Sequence, residues 1–263
     1  MAEGVVPGAI RTYDVSVGGY HGAPPEDCEC LVRKLCDWLC GQDFAVPQGQ
    51  EIAFGILMAI VAHLYLAWIH PFGDGNGRTA RLMEFQILVG VGVPSPAAHL
   101  LSNHYNRTRT EYYRQLQYSS SRDNGPMSFL IYAVRGFVDG LREQLDYIRE
   151  QQMEVAWRNY VHETLGHQKS ATEDRRRHVV LDLSGKADPV PLSQLTNVSG
   201  RVAQAYAHVS PRTLLRDISA LVKDGYLIKT NKGLAANKRL IAAFLPARHA
   251  PGTKEEGLPS VIS

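Results

Sequence analysis

Cysteine is scarce in this 263-residue chain, net charge is small, and a Walker-type phosphate loop is missing. The four cysteines, Cys28, Cys30, Cys36 and Cys40, crowd into thirteen residues, too close to staple distant parts of a fold, which excludes a disulfide framework. Their spacing fits no standard zinc pattern. The stretch CECLVRKLCDWLC reads instead as a helix with Leu31, Leu35, Trp38 and Leu39 on one broad face, and its thiols are expected to be buried or half-buried. The absence of GxxxxGK[ST] argues against an ordinary P-loop NTPase. The N-terminus, MAEGVVPGAIR, has no basic segment followed by an apolar run, so no secretory signal is read there and a cytoplasmic protein is expected. There is no internal repeat and no low-complexity tract.

With 44% apolar and 21% charged residues, the composition is that of a soluble protein able to build a sizeable core. The formal charge of +2 is unevenly placed. Residues 186–250 hold ten Lys/Arg against three Asp/Glu, while the remainder holds 18 against 23. The last quarter therefore reads as a separate unit with an anionic partner or ligand. The run Ile52 to Ile69 carries no charge over 18 residues, the lower bound for a membrane span. Its internal Gly55 and His63, and the lack of flanking basic clusters, favour a buried helix.

Residues 7–25 read as extended, with Val15–Val17 followed by Gly-Gly-Tyr and then Pro24-Pro25, a short hairpin or flap. Helices are expected over 26–41, 49–69, 76–90, 108–119 and 126–160, and the polar stretch Leu165 to His178 as a linker or an exposed helix end. The domain reading is 1–160, a linker at 161–184, a second domain at 185–247 and a disordered tail at 248–263. In the second domain, PLSQL, RVAQAYAHV and SPRTLLRDISALVKDGYL read as three short helices, followed by two strands around a basic loop. This order resembles a winged helix-turn-helix, with Ser210 as N-cap and Pro211 as first helical residue of the recognition helix. Arg212, Arg216, Lys223 and the span Lys229 to Arg239 would form a basic face, open to DNA or to a protein scaffold role.

The chemistry is concentrated in HPFGDGNGRTAR, His70 to Arg81. His70 precedes proline, which disfavours α geometry and ends the apolar helix near residue 69, and the next helix starts near Asn76. Gly73, Gly75 and Gly77 allow a tight turn whose N–H groups converge on an anion at a helix N-terminus. Arg78 and Arg81 sit in that first turn, where the helix dipole disfavours cations, so an anion such as a polyphosphate should compensate them. Asp74 is then an oxygen ligand for the accompanying Mg²⁺, and His70 is the group able to take a proton from a hydroxyl at neutral pH.

The same string matches, at all eight specified positions, the Fic-family signature HxFx[DE]GNGRxxR, and a looser resemblance runs from about Gly8 to Tyr147. The resemblance implies a mostly α, Fic-type helical bundle with a short β-hairpin flap, followed here by a small winged-helix α+β domain. It implies transfer of AMP from Mg-ATP to a Ser, Thr or Tyr hydroxyl of a target protein bound along the flap near residues 11–25, with self-modification. His70 would be the general base and Asp74 the Mg²⁺ ligand. Gly75, Asn76 and Gly77 would cradle the α- and β-phosphates, and Arg78 and Arg81 the departing pyrophosphate, with Thr79 grouped among the nucleotide-binding residues. Phe72 is assigned to packing beneath the loop. Tyr112 and Tyr113 resemble the family's adenine-side tyrosines and equally suit an ordinary core helix, while Ser120 stands where some relatives have an asparagine.

The intact Gly75-Asn76-Gly77-Arg78 argues against Doc-like kinases and phosphocholine-transferring relatives. No autoinhibitory [ST]xxxE[GN] string occurs; Thr253 to Gly257 falls one residue short, and an N-terminal version would lie just before Met1. Control by a removed segment or by a partner antitoxin chain is the expectation, together with a homodimer. Two other functions stay open: removal of AMP from a modified protein, and a DNA-binding regulator working through its C-terminal domain.

Overall fold

The computed structural model describes residues 6, 8–17, 20–41, 46, 48–121, 124–166 and 170–244. It is mostly helical, and its chain divides into two units, 1–145 and 146–263. The division falls earlier than the residue 160 read from the sequence. The reason is that the last helix of the first unit does not stop there but continues to Thr164, and its far part belongs to the second unit's core.

In the first unit, β1 (Ser16–Val17) pairs antiparallel with β2 (Tyr20–His21), the expected hairpin. α1 (Pro25–Cys40) opens with Pro25 at its first position, where a missing N–H costs nothing, and places Glu26 and Asp27 at the positive end of its dipole. Of its cysteines only Cys28 is buried, so the expectation of buried or half-buried thiols fails for Cys30, Cys36 and Cys40, which are exposed. Burial pushes the Cys28 thiol pKa up and makes it a poor nucleophile.

The uncharged run forms α2 (Glu51–Ile69), long and apolar enough by length and composition to cross a membrane. In the structure it is a core helix packed on α1, on α3 (Asn76–Gly90) and on α6 (Arg109–Ser121). Gly55 permits its close approach to the chain after α3, since a Cβ there would collide with the Val91 side chain. Between α3 and α6 lie α4 (Ser95–Ala98) and α5 (Leu100–Arg107), and α7 (Gly125–Thr164) follows. Ile60, Leu64, Leu88, Leu101, Tyr105 and Phe129 form the main core of this unit. A second cluster with Cys28, Leu35, Leu66 and Ile69 lies between α1 and α2. Each fully buried side chain of this size contributes about 1.5–3 kcal/mol.

In the second unit, Trp157 and Val161 of α7 pack with Val179, Val180 and Leu183 of α8 (Ala171–Ser184). This corrects the linker reading of 161–184. The polar front of the helix, TEDRRRH, hides the apolar residues at its back, and the capping signature Ser170-x-x-Glu173 marks its start: Ser170 Oγ accepts from Glu173 N at 3.2 Å. A 3₁₀ segment (Leu192–Asn197), α9 (Gly200–Tyr206) and α10 (Pro211–Lys223) follow, then β3 (Leu227–Thr230) paired antiparallel with β4 (Gly233–Ala236) and a second 3₁₀ segment (Lys238–Phe244). Ser210 caps α10 by accepting from Thr213 N, with Pro211 at the first position, as the sequence suggested. Leu234 of β4 also bridges Val190. Only Asn231 and Lys232 separate the two strands, so the expected basic loop is a tight turn, and Lys238 and Arg239 fall in the 3₁₀ segment beyond it. The proposed tail at 248–263 lies outside the described residues.

Candidate active site

α2 ends at His70, the only described non-glycine residue with positive φ (50°, ψ 54°). That left-handed conformation turns the chain out of the helix while His70 N still donates to Leu66 O at 3.0 Å. It is a strained choice for a residue with a Cβ, costing about 1–2 kcal/mol, and the surroundings enforce it. Arg11, 4% exposed, is the enforcer. Its Nε donates to His70 O at 2.8 Å and its Nη1 to Tyr13 O at 2.6 Å, while Nη2 reaches Ile69 O and Ala23 O. Its own N–H donates to Pro71 O at 2.9 Å, beside a backbone bridge between Ile10 and Phe72. One guanidinium thus ties the root of the flap to the end of α2. A lone arginine in an extended stretch carries no pattern, and the sequence reading missed it.

The loop from Pro71 to Gly75 is braced from within. Asn76 is buried, its Oδ1 accepts from Phe72 N at 2.9 Å and its Nδ2 donates to Phe72 O at 2.7 Å. Its side chain is therefore tied to the turn at both ends. Gly75, at φ 88°, is the N-cap of α3, with no side chain capping the first turn. The opening N–H groups of a helix lack intrahelical acceptors, and here the residues that carry them line a cavity.

That cavity, about 1000 Å³, is walled on one side by His70, Asp74, Gly75, Asn76, Gly77, Arg78 and Arg81. Tyr20 of the flap, Trp68 of α2 and, from α6, Arg109, Tyr112, Tyr113, Arg114 and Gln117 are among the residues that line the rest of it. Nine of the ten site residues read from the sequence meet there. Thr79 does not, because its hydroxyl turns back onto Gly75 O at 3.1 Å. Ser120 is also outside the wall and bonds Gln117 O. Phe72 joins no core cluster and is held through its backbone to Ile10 and Asn76.

The two arginines differ. Arg78 pairs with Asp74 at 3.0 Å, both side chains exposed, so the compensating anion expected for it is already in the chain. Arg81 has no carboxylate partner among the described residues, although Tyr112 lies in its field. Burial lowers the His70 pKa below the ordinary 6.5, the Ala67 carbonyl opposes this, and Arg11 adds to the lowering. A carbonyl only accepts, so the contact of His70 Nδ1 with Ala67 O at 3.3 Å fixes the proton on Nδ1 and leaves Nε2 as a base. On α6, Tyr113 is exposed with Arg109 over its ring at 5.8 Å. Tyr112 is a core residue whose hydroxyl lies 2.9 Å from His63 Nε2, and it also lines the cavity, whereas Tyr113 lines the cavity without joining the core. Burial raises its pKa. The Tyr20 hydroxyl donates to Trp68 O and is pushed up to about 12 by burial.

The chain is similar in part to known proteins. Residues 1–88 match the Fic/DOC family. A protein adenylyltransferase Fic of Nematostella vectensis is 34% identical over 119 residues, 45% of this chain and 25% of that protein. Protein adenylyltransferase fic-1 of Caenorhabditis elegans is 34% identical over 125 residues, 48% of this chain and 22% of that protein. The chain thus spans about a quarter of the length of these curated relatives. A solved Fic family protein from Desulfovibrio desulfuricans G20 aligns over 88% of this chain and 61% of its own, at 20% identity and a TM-score of 0.44. The Fic/DOC match contains the whole His70–Arg81 string and the Arg11 brace, and it stops before α6.

Proposed function

We propose that the first unit transfers AMP from Mg-ATP to a Ser, Thr or Tyr hydroxyl of a target protein lying along residues 11–25, and labels itself as a side reaction. The observation that carries this reading is the convergence, on one cavity, of a base with a free Nε2, an uncapped helix start and an arginine with no carboxylate partner among the described residues. The target oxygen attacks the α-phosphorus as His70 Nε2 takes its proton. The bond to the β-phosphate oxygen breaks, and pyrophosphate leaves toward Arg81 and Arg78. Such a transfer requires chiefly positioning and neutralised charge. No group of three His, Cys, Asp or Glu side chains suited to a metal exists among the described residues. One exposed carboxylate beside a phosphate loop is nevertheless what Mg²⁺ arriving with a nucleotide needs, and Asp74 fits it. Magnesium would supply charge neutralisation between the phosphates. Cytoplasmic location and a homodimer belong to the same reading.

Incubating the chain with Mg²⁺ and ATP labelled on the α-phosphate, beside His70→Ala, tests it. Label on protein that requires His70 supports AMP transfer. No label while ATP binds would overturn it in favour of another donor or of AMP removal.

A second reading concerns the other unit. The exposed residues of α10 include Arg212, Leu215, Arg216, Ser219 and Lys223, which recur at helical spacing on one face that carries three cations and no carboxylate. We infer a winged-helix arrangement that sets this face and the β3–β4 turn against a duplex. Duplex binding by the whole chain that weakens steeply with salt, and is lost in Arg212→Glu/Arg216→Glu, supports it; binding unaffected by that pair of changes would sink it.

A further inference from the structure

From Tyr112 on the cavity wall a polar chain runs into the core, and its other members have no role in the transfer described above. His63 on α2, Glu84 on α3, Tyr105 on α5 and Tyr112 on α6 are all buried. Tyr105 donates to Glu84 Oε1 at 2.9 Å, His63 Nδ1 lies 3.5 Å from Glu84 Oε2, and His63 Nε2 meets the Tyr112 hydroxyl at 2.9 Å. The His63–Glu84 contact is too long for a good hydrogen bond, and His63 Nδ1 has no other partner. An acid and an imidazole in a dry core are retained at a cost unless they set something else in place.

What they set is visible at the end of the chain. At 3.5 Å the carboxylate favours hydrogen on the ring nitrogen that faces it by charge rather than through a hydrogen bond, and Nε2 then accepts from Tyr112. Every donor in the chain then points toward Glu84, and the Tyr112 hydroxyl is drawn inward. Its ring is held among those of Tyr105, centroid 4.9 Å away, and Tyr113, at 5.3 Å, where it forms part of the cavity wall. Four helices are pinned by this one chain, two of them carrying the ends that build the phosphate loop, α2 and α3.

We propose that His63 and Glu84 are positioning residues for the nucleotide: through the Tyr112 hydroxyl they fix the aromatic wall on α6 against the phosphate loop. This rests on the reading of the cavity as an ATP site. Polar groups that hold such a wall act as a supporting shell, and their loss is felt as misplaced substrate before it is felt as lost chemistry.

The test is titration of the whole chain with ATP, read by calorimetry, together with steady-state labelling. Glu84→Gln and Tyr112→Phe are each expected to weaken ATP binding about tenfold, the size of an ordinary coupling within one hydrogen-bond network. KM for ATP should rise in parallel while kcat falls less than about threefold, and the double variant should be no weaker than either single one. His63→Gln, whose amide can still reach Tyr112, should recover part of the loss seen in His63→Leu. Leu88→Ala, a cavity in the same core, should lower the melting temperature yet keep ATP affinity within about twofold, which separates positioning from stability. Equal weakening of ATP binding by Leu88→Ala, additive effects of the two single changes, or affinity indifferent to both would overturn the positioning role. No ATP binding by the unaltered chain would overturn the reading of the cavity, and the proposal with it.

Discussion

Among the described residues each unit buries one carboxylate, and the two are neutralised in opposite ways. In the second unit Asp217, fully buried, is gripped by two guanidiniums, Arg175 and Arg176, and by the Tyr206 hydroxyl. In the first, Glu84 has an imidazole and a phenol. Arginine keeps its charge at any pH a protein survives, so the Asp217 cluster is a permanent tie between α8 and α10. Around Glu84 no such permanent charge is used, and Arg81, a short way along the same helix, is left to the cavity. One unit neutralises its buried carboxylate with arginines, whereas the other pairs its own with an imidazole and a phenol and leaves Arg81 on the cavity wall.

The largest effect expected from this contrast is on chemistry. His70→Ala should lower AMP transfer by about 10²–10⁴-fold with an unchanged melting curve, because it removes a base and no core packing. Asp217→Ala should do the reverse, costing the second unit about 3 kcal/mol in chemical denaturation by stranding two arginines, while the first unit still binds ATP. Arg81→Ala should weaken ATP binding by about ten- to a hundredfold, and Arg78→Ala by clearly less, since Arg78 already has Asp74 and an exposed pair of that kind contributes little. Equal losses from the two arginines would break the distinction drawn between them. Gly22→Ala places a Cβ 2.9 Å from Arg11 Nη2 and 3.1 Å from His70 Cβ, and should slow transfer about tenfold through displacement of the base. The smallest effect is in pH dependence. A base works unprotonated, and the His70 pKa is lowered, so the acid limb of the rate profile should have its midpoint below 6.5 and reach its plateau by neutral pH. A midpoint above 6.5 would remove His70 as the base or its burial as the cause.

How much of this could be read beforehand depended on how far apart the cooperating residues lie. The phosphate loop was legible because its turn glycines, carboxylate, arginines and base are consecutive, and α3 was read to the residue from the same signal. α2 is legible as a helix from its uncharged length, and as a core helix from its internal Gly55 and His63 and the lack of flanking basic clusters. α5, LLSNHYNR, was missed because eight residues with only Leu101 and Tyr105 buried make a weak period. α8 reads as linker in the sequence because its charges come first and its buried Val179, Val180 and Leu183 last. Glu84 gives no hint of burial in sequence: the partners that make it tolerable stand 21 residues away on either side, at His63 and Tyr105, on other helices. Arg11 is invisible for the same reason, as its acceptors are backbone carbonyls brought up by the fold.

The left-handed backbone at His70 has a consequence for anyone improving this protein. A screen for thermal tolerance alone should favour glycine at position 70, because glycine adopts that conformation without steric penalty. The winning variant would be sturdier and inert, so an evolution experiment here needs selection for turnover in every round to keep the site it starts from.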